Sequence, residues 1–221
     1  MVLGARRVDR VEAIADDLRA AGLRAIGVSL DVTSEASVIA AYDCAEQQFG
    51  VVETVIANAG VGTGARATDL AFDALRRTVD TNLIGTYLVA REGARRMIAG
   101  GSGKSESGRI VLIGSITALQ NHTGDASYAA TKAGISHLAK QFAKEWARQG
   151  INVNVIHPGW IRSAMNDQWS DTERGLQDIA RLPRKRLQEQ SSLDDMVLYL
   201  CSDRSRQITG AVFTLDDGQS L

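Results

Sequence analysis

Tyr128 and Lys132 stand four residues apart in "YAATK", and on a helix that spacing puts both side chains on one face. The chemistry on offer is proton transfer. A phenol with a reference pKa near ~10 is a poor acid–base catalyst at neutral pH, but a nearby cation favours the phenolate and lowers that value. A tyrosine tuned this way exchanges a proton with an alcohol or carbonyl oxygen. Such pairs also occur on ordinary solvated helix faces, so the pair alone decides nothing. Ser115 adds to it. It ends the run "GRIVLIGS", at the edge where open parallel sheets place ligands, and its hydroxyl has the chemistry to bond the same oxygen. Asn82 follows an amphipathic helix in "VDTNLIG", and "NAG" at 58 to 60 ends another apolar run with small residues that permit close backbone approach.

The elements that must position these groups read as an α/β alternation. Val11, Ile14, Ala15, Leu18 and Ala21 fall at helical spacing, and Gly22 supplies a left-handed stop. "RAIGVSLDV" reads as a strand ending at Asp31, after which Thr33 or Ser34 caps a helix running through Phe49, closed by Gly50. "VETVIANAG", "GRIVLIGS" and "INVNVIHPG" are short apolar strands that each run into a turn, with helical stretches between them. Strands alternating with helices imply a parallel sheet covered on both faces. Residues 100 to 108, "GGSGKSESG", read as a flexible surface loop rather than a phosphate loop, because no strand precedes them. Residues 160 to 190 mix Trp160, Met165, Trp169, Leu176, Ile179 and Leu182 with many charges. That composition suits a substrate lid with an apolar inner face, the alternative being an ordinary surface helix pair.

Composition excludes several other classes. With 25 basic and 26 acidic side chains the formal charge is −1, so no global field draws the chain to nucleic acid or to an anionic membrane. Cys44 and Cys201 lie far apart without CxxC spacing, which argues for buried thiols in a reducing compartment and against disulfides or zinc. His122, His137 and His157 lack ligand spacing and read as structural or exposed residues, so no metal is expected. No apolar run approaches the ~20 residues of a membrane span, and no basic-then-apolar leader is visible. A cytoplasmic protein of one domain over residues 1–221 is the expectation.

Taken together, "LDV" at 30 to 32, "NAG" at 58 to 60, "TN" at 81 to 82, "GS" at 114 to 115, "YAATK" at 128 to 132, "HPG" at 157 to 159 and "ITGAVFTLDDG" at 208 to 218 resemble the short-chain dehydrogenase/reductase family. The flavour is that of its 3-oxoacyl-acyl-carrier-protein reductase-like members, and the resemblance covers essentially the whole chain. It implies a Rossmann-like doubly wound parallel sheet and hydride transfer between a nicotinamide cofactor and a ketone or secondary alcohol. Tyr128 would be the acid/base and Lys132 would lower its pKa and hold the nicotinamide ribose. Ser115 would orient the substrate oxygen, and Asn82 would anchor a proton relay. Asp31 and Val32 look like the adenine contacts, Asn58, Ala59 and Gly60 like the cofactor-side turn, and Pro158, Gly159 and Ile161 like the loop beside the nicotinamide. The resemblance also implies a homodimer or homotetramer built on the helices holding Asn82 to Met97 and Tyr128 to Trp146 and on the strand "AVFTLDD".

At the end of the strand "VLGA", an acidic residue would bind the free 2′-hydroxyl of NAD, whereas an arginine accommodates the 2′-phosphate of NADP. Arg6 and Arg7 stand there, so NADP is expected over NAD, a solvated surface pair being the alternative. The family pattern also calls for a strand, a T-G-x-x-x-G-x-G turn and a helix ahead of "MVLGARR", roughly 30 residues that would cradle the pyrophosphate. These 221 residues hold no such turn. The expectation is therefore an N-terminally truncated Rossmann-like domain with a gap of roughly 10 Å beside "VLGA", its first two strands displaced and poorly anchored or the slot otherwise filled. Two functions stay open: an NADP-dependent oxidoreductase, or a non-catalytic relative serving as an association subunit.

Overall fold

Among the described residues, apolar runs of four to eight residues become six strands, and the periodic stretches between them become helices. The computed structural model describes residues 1–163 and 167–221. In chain order the elements begin with β1 (Val2–Ala5), α1 (Val8–Ala20), β2 (Ile26–Ser29), α2 (Glu35–Phe49) and β3 (Thr54–Ala57). They continue with α3 (Phe72–Val79), a π-helical turn at Asp80–Ile84, α4 (Gly85–Ala99), α5 (Ser102–Ser105), β4 (Gly108–Ile113), α6 (Ala126–Trp146) and β5 (Ile151–Pro158). Last come α7 (Asp167–Ser170), α8 (Glu173–Arg181), α9 (Asp194–Leu200) and β6 (Val212–Leu215). Gly22 takes φ +83° just beyond α1, and the Ser34 hydroxyl accepts the Ser37 N–H to cap α2, as their residue types require.

Every described strand pairing is parallel. β3, β4, β5 and β6 form one sheet in that order, and β1 and β2 form a second. Strand periodicity sorts β4 between two cores: Ile110 and Leu112 face a cluster with Ala90, Met97, Ile135 and Phe142, whereas Val111 faces Ile156 and Leu200. Helices α4 and α6 thus cover one face of the four-stranded sheet and α9 the other.

No ladder hydrogen bond joins the two sheets among the described residues, in keeping with the gap expected beside "VLGA", and side chains tie β1 and β2 to the rest. Helix α2 packs on α4, where Arg96 bonds Glu92 at 2.8 Å on its own helix and Asp43 and Glu46 on α2 at 2.7 and 2.6 Å. The Tyr42 hydroxyl donates to the Val89 carbonyl at 2.9 Å, and Gly93 leaves it room, since a Cβ there would sit 2.6 Å from that oxygen. Leu30, just past β2, packs against the main core.

The stretch 100 to 108 is not a free loop. Gly101 at φ +92° and Glu106 at φ +52° wind it into α5, and the buried Ser102 hydroxyl donates to the Gln149 carbonyl at 2.6 Å. Glycine supplied the tight turn, and burial of Ser102 fixed it. Among the described residues, no helix is long and apolar enough to cross a membrane.

Candidate active site

The site is assembled where β4 ends and α6 begins. Ser115 leaves β4 in extended geometry and its Oγ accepts the Thr117 N–H at 3.2 Å, capping a short turn at Ile116–Ala118. The chain returns into α6, where Tyr128 and Lys132 lie one turn apart, and the Ser115 side chain comes close enough to Tyr128 to favour its phenolate. The Lys132 ammonium lies 5.5 Å from the Tyr128 ring centroid. It is 3% exposed, and its hydrogen bond among the described residues goes to the Ile113 carbonyl at 2.8 Å.

Electrostatics here depart from the sequence expectation. Burial raises the Tyr128 pKa, the nearby Ser115 side chain opposes this only in part, and the Asp125 charge adds to the rise. Burial also pushes Lys132 down to about 8. Removal from water disfavours both charged forms, so in this structure Tyr128 is held as the phenol rather than drawn toward the phenolate by Lys132.

Asn82 is fully buried in the π-helical turn. Its Oδ1 accepts the Val61 N–H at 2.8 Å, and its Nδ2 donates to the Val61 carbonyl at 3.0 Å and to Thr131 Oγ1 at 3.1 Å. Both amide hydrogens are thereby used, so the side chain fastens the turn after β3 to α6. Gly60 is brought against the same pair: a Cβ there would lie 3.5 Å from Lys132 Nζ and 3.6 Å from Asn82 Oδ1. Asn58 and Ala59 are exposed at the end of β3.

Pro158, Gly159 and Ile161 follow β5. A Cβ on Gly159 would fall 2.6 Å from both Gln188 Oε1 and Gln219 Oε1, so only glycine fits, and Ile161 bridges to Gln188. The Trp160 N–H donates to Gln219 Oε1 at 2.6 Å. In the expected lid, the Trp160 ring lies 4.4 Å from Trp169 and 5.7 Å from His122. Leu176 instead faces solvent, and Met165 lies outside the described residues.

The remaining candidates belong to the β1–β2 side. Arg6 and Arg7 are exposed at the end of β1. Asp31 is held below the usual carboxylate range by the Thr33 N–H and hydroxyl and, more weakly, by the Arg6 charge. Val32 packs over Gly85, where a Cβ would come within 2.6 Å of it. The structure thus brings Ser115, Tyr128, Lys132, Asn82 and Gly60 together, and keeps Arg6, Arg7, Asp31 and Val32 as a second group. Sequence reasoning missed Gln188, Gln219, Thr131 and Ser136 as partners, since no motif marks them, and it left His157 without a task although "HPG" contains it.

Comparison with known proteins places this arrangement. Residues 2–220 match the family described as enoyl-(acyl carrier protein) reductase. The oxidoreductase UcpA of Escherichia coli strain K12 is 33% identical over 219 residues, covering 96% of this chain and 81% of that protein. The 3-oxoacyl-[acyl-carrier-protein] reductase FabG of the same strain is 32% identical over 211 residues, covering 95% of this chain and 82% of its own length. A gluconate 5-dehydrogenase from Burkholderia cenocepacia J2315, solved in complex with NADP and tartrate, superposes with a TM-score of 0.92 at 29% identity, covering 99% of this chain and 84% of that one. With the Ser115, Tyr128 and Lys132 cluster at the strand ends of a parallel α/β fold, these matches show that the chain belongs to the short-chain dehydrogenase/reductase family of oxidoreductases.

Proposed function

We propose that this oxidoreductase transfers hydride between NADP(H) and a ketone or secondary alcohol, with Tyr128 as the acid/base. The arrangement that carries the reading is Tyr128 and Lys132 one turn apart on α6, the buried ammonium 5.5 Å from the Tyr128 ring and tied to the Ile113 carbonyl, beside Ser115 at the end of β4. A substrate oxygen entering between the two hydroxyls meets two donors at once. In reduction, the Tyr128 phenol gives its proton to that oxygen while Ser115 holds it in place. In oxidation, the same path runs backward, and the proton returns to Tyr128.

The residues fit a nicotinamide cofactor. An ammonium as buried as Lys132 with one carbonyl acceptor retains donors for a hydroxyl-rich ligand, and Gly60 keeps the approach open. Lys132, the Asn58 to Gly60 turn and Pro158, Gly159 and Ile161 would hold the nicotinamide side, with Asp31 and Val32 at the adenine. The bound cofactor supplies or takes up the hydride. NADP is preferred because Arg6 and Arg7 stand exposed where a 2′-phosphate would be met, and the NADP complex of the Burkholderia relative supports that choice. Trp160 and Trp169 give the substrate side an apolar flank. Assembly as a homodimer or homotetramer belongs to the same reading, with Ile84 and Tyr87 exposed near the start of α4.

The test is NADPH-dependent ketone reduction by the purified protein and by Tyr128→Phe, which keeps the ring and removes the proton. A loss of at least about 10²-fold in kcat is expected. Unchanged turnover in Tyr128→Phe would sink the assignment.

A further inference from the structure

The ladder between β4 and β5 runs out one residue before Ser115. The Gly114 N–H still finds the Ile156 carbonyl at 2.7 Å, but the Ser115 N–H is taken by a side chain, His157 Nδ1, at 2.8 Å. Accepting there leaves the proton of the neutral imidazole on Nε2, which lies 2.9 Å from Ser136 Oγ. The Ser136 hydroxyl in turn donates to the Lys132 carbonyl at 3.2 Å. Three hydrogen bonds thus lead from the backbone of Ser115 to the backbone of α6 at Lys132.

The ring has no freedom to leave this path. It is 0% exposed, its strand pairs His157 with Thr214 on β6, and both nitrogens are engaged. It also fills the space of a missing side chain: a Cβ on Gly114 would sit 2.1 Å from Nδ1 and 2.4 Å from Cε1. Gly114 does not take a positive φ, so its need is for room. Burial and the Lys132 charge hold His157 neutral, with its pKa pushed down to about 4, which keeps Nδ1 free to accept.

We propose that His157 is a positioning residue, which sets the spacing between Ser115 and the Tyr128–Lys132 helix through the chain Ser115 N–H, imidazole, Ser136 hydroxyl, Lys132 carbonyl. The role rests on the proton transfer proposed above. It does not touch the substrate. It fixes two donors that must reach one oxygen together, and such alignment is sensitive to displacements of about 1 Å.

Three substitutions separate the two ends of the chain. His157→Asn places an amide oxygen near the position of Nδ1 and keeps an acceptor for Ser115. His157→Gln extends to Ser136 but takes the acceptor away from Ser115, and Ser136→Ala cuts only the tie to α6. The expected result is a kcat loss of about 10-fold or more for His157→Gln and a smaller loss for His157→Asn and Ser136→Ala, which give up only the tie to α6, with KM for NADPH within about 2-fold throughout. In parallel, the Ser115 amide resonance of the ligand-free protein should move with His157→Gln and keep its hydrogen-exchange protection in His157→Asn. Equal kcat in His157→Gln and wild type, with only the melting temperature lowered, would make the ring mere core filling and overturn the role alone. Absence of any Tyr128-dependent turnover in the wild type would overturn the underlying reaction and this role with it.

Discussion

Replacing Gly114 by alanine adds one methyl group, and the structure says it should be among the costliest such additions in the protein. The new Cβ would lie 2.1 and 2.4 Å from the His157 ring and 3.1 Å from Val155 Cγ1, against an ordinary carbon contact of about 3.5–4.0 Å. Neither neighbour yields easily, because the ring is buried and bonded at both nitrogens and Val155 is buried in β5. Overpacking of this kind costs about 1–3 kcal/mol. If the ring is driven off Ser115, a buried N–H loses its acceptor, at about 1–3 kcal/mol more. A total of about 2–6 kcal/mol is expected for Gly114→Ala. His157→Ala is costly in its own right, but it vacates the very space the methyl needs, so adding Gly114→Ala to it should cost almost nothing further. The double-mutant cycle therefore predicts a coupling of about 2 kcal/mol or more, read from urea midpoints at constant m. A coupling below about 0.5 kcal/mol, with the two costs simply adding, would refute the steric link between these positions.

Arg6→Ala with Arg7→Ala should weaken NADPH about 10-fold or more and leave NADH within about 2-fold, measured by fluorescence titration, because only NADPH carries a 2′-phosphate for them to hold; equal losses for both would make them surface charges. Acid should destabilise the fold through His157. Its pKa falls from 6.5 in the unfolded chain to about 4 in the fold, so between those values the unfolded state binds the extra proton. Stability is then full above pH 6.5 and declines as pH falls toward 4, by at most about 3 kcal/mol, and urea midpoints of His157→Asn should lack that share of the decline.

The strand ends were legible in the sequence because apolar runs stop abruptly at Asp31, Gly60, Ser115 and Pro158, and the turn residues there have few alternatives. The one-face placement of Tyr128 and Lys132 followed from helical periodicity alone. Their mutual influence did not, because spacing says nothing about burial: the ammonium is tied to the Ile113 carbonyl, and loss of water is the largest influence on the phenol, raising its pKa. The π-helical turn at Asp80–Ile84 was equally invisible, since an i to i+5 register has no residue signature. Nor was the task of His157 readable. Its partners Gly114, Ser115 and Ser136 lie far from it in sequence and meet it only through the parallel pairing of β4 with β5 and the packing of α6 on both.

The division of the site between two sheets has a mechanical consequence. Ser115, Tyr128 and Lys132 are fixed relative to one another by ladder hydrogen bonds, by α6 and by the imidazole bridge, all within the β3–β6 unit. Arg6, Arg7 and Asp31 ride on β1 and β2, whose described ties to that unit are side-chain contacts: Arg96 with Asp43 and Glu46, Arg91 with Glu35, Tyr42 with Val89, and Leu30 and Val32 against the core and α4. Side-chain packing tolerates small shifts that a hydrogen-bond ladder does not, because a ladder register changes only in whole residues. Proton-transfer geometry and the arginine pair therefore answer to different structural forces. Loosening of the α2–α4 contact should move Arg6 and Arg7 and leave the hydroxyls of Ser115 and Tyr128 where β4 and α6 hold them.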